Sequence, residues 1–196
     1  GDVEGERSRG RSEVPGVVAL LMRPAYHARL FEARRNDPMD DAPRPMRKSA
    51  KEITDRAELE EVLARADVLY LALHDEPAPY VIPLTFAYAE GALWFHCARE
   101  GTKLDLIRRD PRAGFSAVAD AHIVPGTEAC GFSSTGRSVV GRGTARICTD
   151  PAERRCGLDA LMHRHGVAHP VYRPDSFERT CVVRIAVEEL RGKRLA

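Results

Sequence analysis

Little in this chain points to a metal, a disulfide framework, a membrane span or a nucleic acid. Its five cysteines, Cys97, Cys130, Cys148, Cys156 and Cys181, are odd in number and no two are spaced as Cys-x-x-Cys. Neither a zinc motif nor a disulfide scaffold follows, and thiols used this way suit a reducing compartment as small core fillers. Formal net charge is only +1 although 30% of residues are charged, so no global field recruits nucleic acid or an anionic surface. No apolar run approaches the ~20 residues needed to span a bilayer. Aromatics make up only 6%, without the aromatic–basic interleaving of single-strand binders. A P-loop, an internal repeat and a Ser-His-Asp or Cys-His arrangement are all missing.

What remains is one domain's worth of chain with an appendage. Among the 196 residues, those at 1–45 stand apart. Arg7, Arg9, Arg11, Arg34 and Arg35 alternate there with Gly, Pro and acids, and the only apolar run is Val17 to Met22. Glu4, Glu6 and Glu13 spoil a signal peptide. The expectation is a disordered or loosely docked extension over 1–45, a folded domain over 46–196, and a cytoplasmic protein.

The folded part reads mainly as strands. Asp55 with Glu58 starts a helix over about 55–66, with Leu59, Val62 and Leu63 on its buried stripe. Val68 to Leu73 is a strand. Tyr80–Tyr88 and Ala92–Cys97 read as a hairpin about Glu90-Gly91, and Pro83 marks the first run as an edge or bulge. A short helix from Gly101 to Arg109 follows, then strands over about 113–119 and 137–148. Asp150-Pro151 opens a second long helix with Leu158, Leu161 and Met162 buried, residues 166–175 are loop, and Cys181–Val187 is the closing strand. Six strands in mostly hairpin order predict an antiparallel barrel with peripheral helices.

Few residues could carry chemistry. Gly101-Thr102-Lys103 opens a helix, so backbone N–H groups, a hydroxyl and an ammonium could meet an anion; taken alone, the motif reads slightly better as an ordinary cap with a solvated lysine. Arg137 beside Ser138, in a stretch free of acids from Ala129 to Thr149, could grip a phosphate or be an outward strand arginine. His96 ends an apolar strand just before the anion loop and could face a ligand or bond a backbone partner. Trp94 and Phe95 alternate faces, one to the core and the other to a pocket. His163, His165 and His169 cluster near a helix end, where favourable charge explains them better than a metal.

Together these blocks resemble a known family. Tyr80-Val81-Ile82-Pro83-Leu84-x-Phe86-x-Tyr88, Trp94-Phe95-His96-x-Ala98-x-x-Gly101-x-Lys103-Leu104-Asp105, Arg137-Ser138-Val139-Val140-Gly141-x-Gly143, Arg179-Thr180-x-Val182-Val183-Arg184-Ile185 and Gly192-Lys193-Arg194 are similar, in order and spacing, to the pyridoxamine-phosphate-oxidase-like flavin-binding split barrels. Within these they resemble the nitroimidazole-resistance branch. The resemblance implies a six-stranded split β-barrel that dimerises around FMN, less often FAD or haem. By position, Ile82, Pro83, Leu84, Thr85 and Phe86 would line the flavin ring. Phe95, His96, Cys97, Ala98, Thr102 and Lys103 would run from ring to phosphate. Arg137 and Ser138 would support the phosphate side, from the same or the other subunit. His96 would be the catalytic, substrate-side group. Thr85 stands where relatives usually carry Asn, Cys97 where they carry Ser, and Thr135-Gly136 where an aromatic is usual. The implied activity is transfer of electrons from reduced flavin to a small oxidant such as a nitroaromatic or quinone. The alternative is a non-catalytic flavin or haem module for storage, sensing or haem degradation, with His96 or His74 as haem ligand.

Overall fold

The computed structural model describes residues 45–195; the extension expected over 1–45 falls, but for Pro45, outside the described residues. After a 3-10 turn at Ser49–Lys51, the elements are β1 (Glu52–Ile53), α1 (Arg56–Arg65), β2 (Leu69–Leu73), β3 (Tyr80–Leu84), β4 (Ala87–Ala89), β5 (Ala92–Cys97), α2 (Thr102–Arg109), β6 (Arg112–Val124), β7 (Ser133–Ile147), α3 (Pro151–Arg164), α4 (Pro174–Arg179) and β8 (Cys181–Leu195). Among these, no helix is long and apolar enough to cross a membrane.

Local chemistry sets the helix starts. The Asp55 carboxylate accepts the Glu58 N–H at 3.1 Å, and Asp150 accepts that of Glu153 at 2.8 Å, with Pro151 pre-set at the first helical position. In α1, Leu59, Val62 and Leu63 fall at i, i+3 and i+4 and are buried.

All eight strands join one antiparallel sheet in the order β3-β2-β6-β7-β8-β5-β4, with β1 on β8. The two ends of that order, β3 and β4, are consecutive in the chain and separated only by Thr85 and Phe86. A sheet whose opposite edges are two residues apart must roll until those edges meet, yet no ladder joins them. The result is a split barrel, mainly β with peripheral helices.

The six expected strands become eight for two reasons. Glu52–Ile53 adds to β8, and the Tyr80–Tyr88 run divides. Only Ala87–Ala89 forms the hairpin with β5, while Tyr80–Leu84 pairs with β2. The hairpin turn is where it was expected, with Glu90 and Gly91 both at positive φ (52° and 71°), the backbone that a two-residue hairpin requires. Pro83 indeed lies on an edge strand. Strands β6, β7 and β8 run longer than their apolar cores predict, to Val124, back to Ser133 and on to Leu195. In the β6 and β7 extensions the ladder, not burial, maintains the strand, whereas in β8 Leu190 packs on the core and Gly192 is buried.

Leucines 69, 71 and 73, Phe115, Ala117, Val139, Val183 and Ile185 from the sheet share one core with Leu59, Val62 and Leu63 of α1 and Leu104, Leu106 and Ile107 of α2. A second cluster lies between α3 and the other face of the sheet, where Trp94 and Val182 meet Leu158 and Leu161. There α3 comes so close that a Cβ on Gly157 would stand 2.5 Å from the Trp94 ring.

Candidate functional site

The division of the Tyr80–Tyr88 run builds the site. Ladder β4–β5 starts at Ala87↔Trp94. Continued by two residues it would pair Phe86 with Phe95 and Thr85 with His96, but the chain has turned away to join β2, last paired at Leu84↔Leu69. Strand β5 beyond Trp94 therefore has β8 on one side and a gap on the other. Thr85 and His96 are exposed on the two lips of that gap. Beneath it Phe86 and Phe95 are both fully buried.

The alternation of strand side chains then sorts the predicted residues. Ile82 and Leu84 are half-buried against the main core, and Phe86 and Phe95 are 0% exposed. Phe86 and Phe95 can offer only backbone to a ligand outside the barrel, and Ile82 and Leu84 offer only part of their side chains. The outward side chains are Val81 (58% exposed), Pro83 and Thr85. Val81 escaped the sequence reading, although its position two before Pro83 carries the signal.

From His96 the chain leaves the barrel through Cys97 and the exposed Ala98 into the turn that starts α2. Gly101 precedes that helix at φ 125°, a conformation that favours glycine, and no side chain caps the helix. The first N–H groups of α2 are thus left beside the exposed Thr102 and the half-buried Lys103. Cys97 lies opposite Cys181 in the β5–β8 ladder. Burial pushes its thiol up to about 11, with Cys181 adding to the rise and the Lys103 charge opposing it. Cys97 is therefore a neutral thiol at ordinary pH.

Arg137 and Ser138 do not form one grip. Arg137 is tied to Glu61 at 2.9 and 3.1 Å and to Asp120 at 3.1 Å, and Asp120 is held in turn by Arg65 at 2.6 Å. These bonds raise the Arg137 pKa and hold the Asp120 carboxyl down at about 2. Ser138 pairs with Val118 on β6 and points the other way, with Val118 and Val140 on the outer face. Neighbouring strand residues alternate faces, so a guanidinium and a hydroxyl one residue apart diverge.

Trp94 faces away from the core, as one of the Trp94–Phe95 pair had to. It borders a cavity of about 570 Å3 with Ala87, Ala160 and His163. His74 ends near Glu76 and Asp110, at 3.8 and 3.9 Å. It stands by the C-terminal end of α2, where Arg109 donates to its carbonyl, not beside His96. Helix α3 stops at Arg164 and Gly166 takes positive φ, so His165 and His169 are not one helical turn apart. Among the described residues no group of His, Cys, Asp and Glu could hold a metal ion.

A model of the pyridoxamine 5′-phosphate oxidase family matches residues 55–194. No curated protein matches the chain in sequence. Among solved structures, a candidate 5-nitroimidazole antibiotic resistance protein from Bacteroides thetaiotaomicron is 25% identical, with a TM-score of 0.66 over 74% of this chain and 86% of that one. The flavocytochrome Anf3 from Azotobacter vinelandii is 16% identical (TM-score 0.67, 79% and 73% covered). A FAD and heme binding protein from Mycobacterium smegmatis is 22% identical (TM-score 0.65, 74% and 73% covered). The last two show likeness of fold.

Proposed function

For a chain that belongs to the pyridoxamine 5′-phosphate oxidase family, we propose an FMN-dependent oxidoreductase working as a cytoplasmic homodimer. The observation that carries this reading is the unpaired stretch between β3 and β5, with Thr85 and His96 on its lips and the uncapped start of α2 beside it. The residues fit a flavin. Val81 and Pro83 give an apolar outer surface for a ring, Thr85 a hydroxyl, and Lys103 with the first α2 N–H groups a seat for a phosphate.

Bound flavin supplies the redox chemistry, accepting electrons and giving them to a small oxidant such as a nitroaromatic or quinone. The chain's own residues orient and select. Lys103 and Thr102 hold the charged tail, the β3 edge fixes the ring plane, and His96 stands where an incoming oxidant would meet a hydrogen-bonding group.

The dimer is supported by the outer face of the sheet. There Tyr70 (48% exposed) and Val140 (54%) lie in one row with Pro83 and Ser116, and Val81 lies in the next row beside Ala72. Such a face beside the split would close a ring from its open side. The relative from Bacteroides supports the choice of oxidant class.

The test is the visible spectrum of the purified full chain, before and after incubation with FMN, together with its mass in solution. Flavin bands at near one per chain and a dimer are expected. A protein that stays colourless after incubation ends this reading, and a Soret band makes it a haem protein instead.

A further inference from the structure

Most arginines of this domain answer a carboxylate: Arg65 with Asp120, Arg112 with Asp110, Arg146 with Glu153 and Arg191 with Glu52. Of those that form no ion pair with a carboxylate, Arg99 and Arg154 border one recess of about 470 Å3. Arg99, in the turn after β5, donates to the Glu178 carbonyl at 3.0 Å. Arg154, in the first turns of α3, donates to the carbonyls of Phe177 and Thr180 and lies 4.5 Å over the Phe177 ring. Carbonyls and ring faces orient a guanidinium without cancelling its charge.

Arg108 of α2 is the third cation on the rim. Its ion pair with Asp105, at 2.8 Å, is open to solvent on both sides, the kind of pair that holds its partner only weakly. No carboxylate lines the recess, whereas Thr149 and Thr180 do. Guanidiniums that border one recess together with hydroxyls offer a seat for phosphate oxygens, which arginine grips in pairs. The volume falls within the range of about 300–1,000 Å3 typical of ligand sites, more than one phosphate needs.

The recess is not the gap at β3. Cys148 on its wall is two strands from His96: His96 pairs with Val182, whose carbonyl accepts the Cys148 N–H at 2.9 Å. Two strand spacings are about 10 Å. The gap lies on one side of β5, and this recess lies on the β7–β8 side.

We propose that the recess formed by Arg99, Arg108 and Arg154 is a second anion site. It takes the pyrophosphate of a dinucleotide, in addition to any phosphate held near Lys103. The assignment does not rest on a flavin in the gap. The pyrophosphate could belong to a dinucleotide form of the flavin or to a separate nicotinamide dinucleotide, and the test separates them.

The probe is inorganic pyrophosphate, titrated calorimetrically into the full chain at low and at physiological salt. Wild type should bind it saturably and more tightly at low salt. Arg99→Gln with Arg108→Gln should weaken it about tenfold or more, and Lys at both positions should recover most of the loss. Arg154 is spared because it holds two backbone carbonyls. If the double Gln variant melts well below wild type, Arg99→Gln alone replaces it.

FAD, FMN and NADPH are then titrated into the same variants. Weakened FAD with FMN unchanged places the pyrophosphate on the flavin; weakened NADPH with both flavins unchanged places it on a separate donor. Absence of saturable pyrophosphate binding by wild type, or equal binding by a folded Gln variant, overturns the site.

Discussion

Phe86 is the residue at which the chain passes from one edge of the sheet to the other, and replacing it with alanine tests how the split is held. Its ring is 0% exposed, and the Arg164 guanidinium lies 5.0 Å from the ring centroid. Arg164 also donates to the carbonyls of Leu63, Ala64 and Ala66 at the end of α1, so Phe86 supports the arginine that ties α3 to α1. A buried Phe→Ala change costs about 3–5 kcal/mol including the cavity it leaves, and a lost cation–π contact adds about 0.5–2 kcal/mol at most. At the ~2–4 °C per kcal/mol usual for this size, Phe86→Ala should melt about 7–28 °C below wild type. Thr85→Ala next door removes an exposed group and should stay within about 0.5 kcal/mol. Phe86→Leu should fall between them while keeping flavin affinity, because the Phe86 ring faces the core and not the ligand side. Thermal and urea melts of the four proteins, with FMN titrations, decide the matter. A Phe86→Ala protein melting within a degree or two of wild type, or one that keeps its stability but loses flavin, would refute a purely structural Phe86.

The remaining expectations address the ligand and the titrating groups. Lys103→Ala should weaken FMN about 10–100-fold, the worth of one charge-assisted hydrogen bond, and leave riboflavin unchanged; equal losses for both would remove Lys103 as the phosphate anchor. His96→Ala should keep flavin bound and slow its reoxidation by a nitroaromatic about 100-fold, whereas loss of flavin would make His96 structural. Of the five thiols, the exposed Cys130 and Cys156 should react promptly with a disulfide reagent at pH 8. Cys97 and Cys148, pushed up to about 11 and about 12 by burial, should react with buried Cys181 only on unfolding; three or more prompt thiols would contradict that. Hydrogen bonds from Arg65 and then Arg137 hold the Asp120 carboxyl at about 2, below its unfolded value of about 3.9. Its contribution is therefore complete above about pH 4 and lost as pH falls towards 2. Asp120→Asn should flatten the decline of melting temperature over that range, and an unchanged slope would show that the carboxylate is not linked to folding.

Much of this architecture is legible in the residues because its causes are local. Asp55 and Asp150 mark helix starts by bonding N–H groups three residues on, Glu90-Gly91 sets a hairpin turn, and Pro83 marks an edge. Ordered blocks from Tyr80 to Arg194 also carried the family. The sequence could not show that Tyr80–Tyr88 serves two opposite edges of one sheet, because pairing partners such as Leu69 and Trp94 are fixed by contacts far along the chain. Nor could it show that Arg137 is already held by Glu61 and Asp120, or that Arg99, Arg108 and Arg154 border one recess. Local hydrogen bonds and periodicity are written in neighbouring residues; a gap between strands, and the charge left uncancelled in a recess, exist only once distant segments have been brought together.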